Sequence, residues 1–160
     1  MPNLSWPWVG GLAVAVVMAT TGCGVVWDAP DIDLLVQRDG IRFARAGEAR
    51  ELVGGETIIT VFNDDGANES QVVLARLDSP DVPADLQAVT SPRDDDRIIG
   101  MSRVLDPRGI DQNRGFAYDR DAHRFHIYLD PDEVYVIFDR LGGVERGVVM
   151  VLEFRQPDDS

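Results

Sequence analysis

Lysine is absent from this sequence, and basic residues of any kind are scarce. All 15 basic positions are arginine, and they face 28 Asp and Glu residues, which gives a formal net charge of −13 at pH 7. An acidic chain repels phosphate backbones and anionic lipid headgroups, because like charges oppose association. We therefore expect no nucleic-acid partner.

Cysteine and histidine are almost as scarce. Cys23 is the single cysteine, so no disulfide can form within the chain. The two histidines, His123 and His126, are three residues apart, and on a strand such residues point to opposite faces, so one metal ion cannot easily take both. We expect no metal and no cofactor.

Several catalytic motifs are missing as well. The sequence contains no G-x-S-x-G, no P-loop and no Cys/His nucleophile pair. The acidic stretches 94–96 and 119–121 lack the ligand spacing of a Ca²⁺ loop. Asp and Glu are so abundant that no pair stands out for acid–base catalysis, and we expect the protein not to be an enzyme.

Charged side chains are also absent from residues 1–27. Within them, Val9–Ala19 is an apolar run of signal-peptide length, shorter than the roughly 20 residues of a comfortable membrane span. Thr20-Thr21-Gly22-Cys23 follows directly and resembles the lipobox of bacterial lipoproteins, whose cysteine is lipidated and becomes the new N-terminus. Thr20 departs from the family's preferred Leu, and no Lys or Arg precedes the apolar run.

This resemblance implies a division of the chain. Residues 1–22 would be a signal peptide, 23–31 a lipid-anchored tether, 32–156 the globular domain and 157–160 a tail. Two acyl chains on Cys23 would hold the protein at the cell membrane, on its extracytoplasmic face. A plain signal peptide and an uncleaved anchor stay open as alternatives.

The globular part has the sequence pattern of an all-β domain. Short β-branched and aromatic runs alternate with turn signals such as Asn63-Asp64-Asp65-Gly66 and Asp130-Pro131-Asp132. Residues 81–121 are different, and we interpret them as a long connection with a helical turn near 84–89 and a short strand near 97–105. The pattern favours a sandwich or barrel. The period-2 placement predicts a core between two sheets that contains Ile59, Val61, Val73, Ala75, Ile137, Val149 and Val151.

Two blocks resemble cupredoxin-like domains. The segments 55–63 (GETIITVFN) and 71–77 (QVVLARL) resemble their opening strand–loop–strand, and 129–138 (LDPDEVYVIF) with 141–147 resembles their closing hairpin and ligand loop. The resemblance covers about 50 residues and implies a Greek-key β-sandwich of about seven or eight strands.

The same resemblance implies where copper ligands would lie. Blue-copper members use two His, one Cys and a weak axial Met. The first His falls on Ser70 or Glu69, the Cys on Phe138 or Asp139, the second His on Gly143, and the Met on Val148, with Met150 nearby. The first three positions lack ligands of the right type. We therefore expect a copper-free domain, with Phe138 or other apolar packing in the place of the metal.

We interpret the protein as a membrane-tethered binding domain whose partner is another envelope protein or a small ligand. The expected binding surface is the end of the sandwich formed by Asp64, Asp65, Asn68, Glu69, Ser70, Asp139, Arg140, Gly142, Gly143, Glu145 and Arg146. One alternative is an electron-transfer or copper-handling protein, which would need ligands that this pattern does not supply. A second alternative is an envelope hydrolase.

The anchor gives a first prediction. We expect residues 1–22 to be removed and Cys23 to be acylated, because small residues and a cysteine end the apolar run. Mass spectrometry of protein from the membrane fraction checks this, and Cys23→Ser should accumulate as unprocessed precursor. A mature N-terminus other than lipid-modified Cys23 would contradict the prediction.

Overall fold

The computed structural model of the protein describes residues 30–45, 52, 54–107 and 121–154. The predicted signal peptide, the lipidation site Cys23 and the tail 157–160 lie outside the described residues. No helix within these ranges is long and apolar enough to cross a membrane.

The described chain is built almost entirely of strands. It forms β1 (Asp31–Gln37), β2 (Gly40–Phe43), β3 (Gly55–Asn63), β4 (Val72–Leu77), a short helix α1 (Ala84–Ala88), β5 (Ile98–Met101), β6 (Ala122–Leu129), β7 (Val134–Asp139), a 3₁₀ turn (Val144–Arg146) and β8 (Val149–Leu152). The helix and β5 lie where the sequence predicts them. Asp31 belongs to β1, so the expected tether 23–31 overlaps the domain by one residue.

The strands form two four-stranded sheets, with orders β2-β1-β3-β6 and β5-β4-β7-β8. Each neighbouring pair is antiparallel except β1 and β3, which are parallel. The predicted all-β sandwich is confirmed. The parallel pair arises because β2 takes the outer position after the β1–β2 hairpin, and the chain then returns to place β3 on the other side of β1.

The core between the sheets comes from alternating positions on facing strands. Ile59 and Val61 of β3 pack there with Leu74 of β4 and Ile137 of β7, and each of them is fully buried. These side chains reach the core because successive residues of a strand point to opposite faces. The predicted positions of Ile59, Val61 and Ile137 are confirmed.

A second apolar cluster covers the outer face of the β4–β7 sheet, and it corrects part of the predicted core. Four of the residues assigned to the space between the sheets pack in this cluster instead: Val73, Ala75, Val149 and Val151. Leu86 of α1 and Ile98 of β5 cover them. Because β4 is buried on both faces from Val72 to Ala75, its apolar pattern could not indicate which face points to the core.

Ion pairs stabilise the described part of residues 81–121, the connection that contains Leu86 and Ile98. Arg97 lies 2.8 Å from Asp85 of α1 and also hydrogen-bonds Asp95, and these side-chain bonds lower the pKa of both carboxyls. At the other end, side-chain hydrogen bonds from Arg103 lower the pKa of Asp121, beside β6, to about 2. The first ion pair thus joins α1 to the residues before β5, and the second joins the segment after β5 to the residue before β6.

The second cluster predicts an unequal response to two leucine truncations. Leu86→Ala should destabilise the domain by about 2–5 kcal/mol, because Leu86 is completely buried and its removal leaves a cavity. Leu141→Ala is the matched control, since Leu141 is 48% exposed, and it should change stability by less than about 0.5 kcal/mol. Urea unfolding measures both values, and equal effects would contradict the assignment of Leu86 to a packed cluster.

Candidate functional site

The two predicted loop segments meet at one end of the second sheet. Val72 of β4 lies opposite Asp139 of β7, which brings the loop 64–71 beside the loop 140–148. Gln71 joins them directly: its backbone N–H donates to Asp139 Oδ1 over 2.9 Å, and its carbonyl accepts from the Arg140 N–H over 2.8 Å. The two segments therefore lie side by side, and their use as one binding surface stays a prediction.

The 64–70 loop is held by its own side chains. Asn63 Nδ2 donates to the carbonyls of Asn68 and Leu105, each over 2.9 Å. Asn68 in turn donates to Asp65 Oδ2 over 2.8 Å, and Asp65 is only 7% exposed. Ser70 is buried and pairs with Leu105. These polar groups shape the loop from within.

Other residues of this loop lie nearer its outside. Asp64 Oδ2 accepts a 2.7 Å bond from Gln37 at the end of β1. Glu69 is exposed. Of the two positions aligned with the first histidine ligand, Ser70 is therefore the inward one and Glu69 the solvent-facing one.

The second segment is organised around the buried carboxylate of Asp139, which is 2% exposed. Asp139 Oδ1 accepts the Gln71 N–H and, over 3.1 Å, the Leu141 N–H. Asp139 Oδ2 lies 3.8 Å from Arg146 Nη2. Arg146 Nε also donates to the Gly142 carbonyl over 2.5 Å. Both carboxylate oxygens are thus engaged, and the guanidinium supplies the opposite charge.

Two glycines allow the loop to close over this pair. A Cβ added to Gly142 would collide with both the Arg146 guanidinium and the Asp139 carboxylate. Gly143 has a φ of 75°, a conformation that favours glycine. Glu145 lies next to Arg146 in the 3₁₀ turn and is exposed. A side chain at position 142 would therefore require Arg146 and Asp139 to shift.

The residues present at this place do not fit a blue-copper centre. Asp139, and not Phe138, points into the loop, because Phe138 lies on the opposite face of β7 in the second apolar cluster. A hard carboxylate oxygen is a poor substitute for a thiolate towards Cu(I), and the Arg146 cation opposes a second cation. Among the described residues, no group of three or more His, Cys, Asp and Glu could hold a metal ion. Instead of the expected apolar filling, the loop contains the buried carboxylate of Asp139 and the guanidinium of Arg146, whose side chain is 35% exposed.

The site also contains residues that sequence reasoning missed. Arg140 donates to Gln71 Oε1 over 2.5 Å and to the carbonyl of Gln87, next to the end of α1, over 3.2 Å. Ser102 Oγ accepts the Val72 N–H over 2.9 Å. Gln71 directly follows Ser70 and could have been included, whereas Gln87 and Ser102 lie in the unmatched middle of the sequence and gave no signal.

Exposed apolar side chains lie beside this polar network. Leu141 is 48% exposed and Val104 is 41% exposed. Their segments are linked through the side chain of Gln71, which accepts a hydrogen bond from Arg140 and donates one to the carbonyl of Ser102 over 3.1 Å. With Glu69 and Glu145 also exposed, this end of the sandwich presents apolar and acidic groups on a hydrogen-bonded support.

The two histidines do not contribute to this end as a pair. His123 lies opposite Val61 and His126 opposite Ile58, so they face opposite sides of the sheet. His123 packs edge-on against Phe125 with ring centroids 4.7 Å apart, and desolvation lowers its pKa. Their expected failure to share one metal ion agrees with this geometry.

Comparisons with known proteins identify the fold. A scan against protein-family models finds no match, and a comparison with curated proteins finds none either. The reduced auracyanin of the photosynthetic bacterium Roseiflexus castenholzii matches over 80% of this chain and 98% of its own, with a TM-score of 0.50 and 14% identity. An azurin from the methylotroph Methylomonas sp. strain J matches over 79% and 98%, with a TM-score of 0.45 and 16% identity. The match to auracyanin shows that the sandwich is cupredoxin-like and, at 14% identity, it concerns the fold alone.

Proposed function

We propose that this protein is a lipid-anchored, copper-free cupredoxin-like domain on the extracytoplasmic face of the cell membrane. In this proposal it binds another envelope protein or a small ligand through the end formed by the loops 64–71 and 140–148. The lipobox-like sequence ending at Cys23 supports the anchor. The ion pair between Asp139 and Arg146 is the single observation that supports the copper-free binding role.

The ion pair supports a copper-free role because it occupies the place that the resemblance assigns to the thiolate. A metal ion there would have to displace the guanidinium of Arg146 and break its bond to the Gly142 carbonyl. It would then meet a carboxylate whose Oδ1 already accepts two backbone N–H groups. Each of these losses weakens copper binding at this position.

The same contacts support a binding role for this end. Loops on a rigid sandwich are where such domains commonly carry function, and these loops are fixed by hydrogen bonds from Gln71, Asn63 and Arg140. A fixed surface loses little conformational entropy on binding. Leu141 and Val104 supply exposed apolar area, and Glu69 and Glu145 supply charge.

The main rival is an electron-transfer or copper-handling protein, and it is favoured by the cupredoxin-like fold. Fold alone is weak support for activity, because one fold hosts many functions. An envelope hydrolase is the second rival, and it would need a nucleophile or a metal site in a cleft. The buried carboxylate of Asp139 is paired and hydrogen-bonded, which suits a structural role better than proton transfer.

The proposal predicts that the purified protein retains little copper. Cu(II) and Cu(I) are titrated separately into the protein, which is then desalted and analysed for metal. We expect substoichiometric copper and no intense visible thiolate band, because Asp139 and Arg146 replace the soft donor. Met150→Leu is the matched control for weak thioether binding of Cu(I).

Near-stoichiometric retained copper in the unaltered protein, or an intense thiolate band, would overturn the proposal and favour the electron-transfer rival. Weak Cu(I) retention that Met150→Leu abolishes would show an accidental thioether contact and leave the copper-free assignment standing.

A further inference from the structure

The edge strand β6 differs from the other edges of the two sheets. Within the described residues, β2, β5 and β8 are the other edge strands, and each has four residues, whereas β6 has eight. The pairing of β5 is interrupted by a register shift, but β6 pairs with β3 in one continuous register over its whole length. Long and regular edges are uncommon, because they offer a template to another strand.

The hydrogen bonds show which peptide groups of β6 are free. Asn63 N donates to the carbonyl of Asp121 over 3.0 Å, and these residues lie opposite each other, one step beyond the β3–β6 ladder. Bonded and non-bonded pairs alternate in an antiparallel ladder. The peptide groups that point away from β3 are therefore those of Ala122, Arg124, His126 and Tyr128. Asp121 Oδ1 accepts the Ala122 N–H over 3.1 Å. Within the described ranges, no loop or side chain hydrogen-bonds the peptide groups of the other three residues.

The usual protections of an edge strand are also missing from β6. Its sequence, AHRFHIYL, contains no proline, glycine, lysine or acidic residue. Its one full charge, on Arg124, is paired with Asp31 at 3.0 Å. Tyr128 is 68% exposed at the end of the strand. Among the described residues, this edge presents unbonded backbone groups and aromatic surface, with little charge to repel another strand.

We propose that β6 pairs with β6 of a second copy of this chain, antiparallel and centred on His126. Such pairing would join two four-stranded sheets into one sheet of eight strands. The interface is isologous, because the same strand contributes to both sides. This inference is independent of the proposed binding role of the loop end.

The register centred on His126 is self-complementary on both faces of the sheet. On the outer face, Arg124 lies opposite the partner subunit's Tyr128, an arrangement that allows a cation–π contact. On the inner face, half-buried Ile127 lies opposite the partner subunit's Phe125. This contact would cover the side of the core. A strand of unrelated sequence is not expected to complement both faces, so the partner that fits this edge is a second copy of this chain.

Net charge opposes the association and gives it a salt dependence. Each copy carries −13, so two copies repel each other at low ionic strength, and salt screens this repulsion. We therefore expect pairing to strengthen as salt is added.

A cysteine placed at the centre of the proposed interface tests it in the full chain. In an antiparallel bonded pair the Cα atoms are about 5.5 Å apart, which lies within the roughly 4.4–6.8 Å range of disulfides. His126→Cys should therefore form a disulfide-linked dimer on mild oxidation of isolated membranes. Thr60→Cys is the matched control, since Thr60 shares the outer face on the interior strand β3. Both variants are made with Cys23 unaltered and also with Cys23→Ser, which leaves one thiol in each even if Cys23 is not acylated.

A second pair of variants separates the backbone from the side chain. His126→Pro removes an N–H that faces the edge and leaves the β3 ladder intact, so it should raise the dimer dissociation constant by at least about tenfold. His126→Val keeps the N–H and should leave the dimer in place. Sedimentation velocity of the detergent-purified full-length protein measures both. A monomeric unaltered protein, equal cross-linking at Thr60→Cys, or a dimer that survives His126→Pro would each overturn the inference.

Discussion

The end of this sandwich depends on the burial of one carboxylate. Asp139 ends β7 in a position that is 2% exposed, and a buried charge is tolerated only when it is paired and hydrogen-bonded. The N–H groups of Gln71 and Leu141 and the guanidinium of Arg146 meet that requirement. To bring them together, the chain must turn tightly at Gly142 and hold both loops against each other.

This constraint also connects the fold to the proposed function. In the metal-binding members that the sequence resembles, a metal ion would supply the positive charge that joins these loops. Here the guanidinium of Arg146 lies beside Asp139, the acidic residue at the thiolate position, so a side chain of the protein supplies the positive charge. The surface around Leu141 and Glu145 can then be fixed in shape without a cofactor, which is what a binding domain needs.

The sequence predicted the strands better than it predicted their faces. Alternation on β3 placed Ile59 and Val61 correctly, because that strand has one buried face and one partly exposed face. It failed on β4, where both faces are buried, and on the edge strand β8. The residues assigned to the wrong side are Val73, Ala75, Val149 and Val151. The pairing of Asp139 with Arg146 joins residues seven positions apart across a loop whose shape follows from tertiary contacts, and no local pattern indicates it.

The most direct test of this account is the coupling energy between Asp139 and Arg146. A double-mutant cycle with Asp139→Asn and Arg146→Met, measured by urea unfolding, should give about 1–2 kcal/mol. The exposed pair of Arg76 and Glu133, whose N–O distance of 3.7 Å is similar, is the control and should give less than about 0.5 kcal/mol. A coupling for Asp139 and Arg146 no larger than that of the control would contradict the claim that this ion pair organises the site.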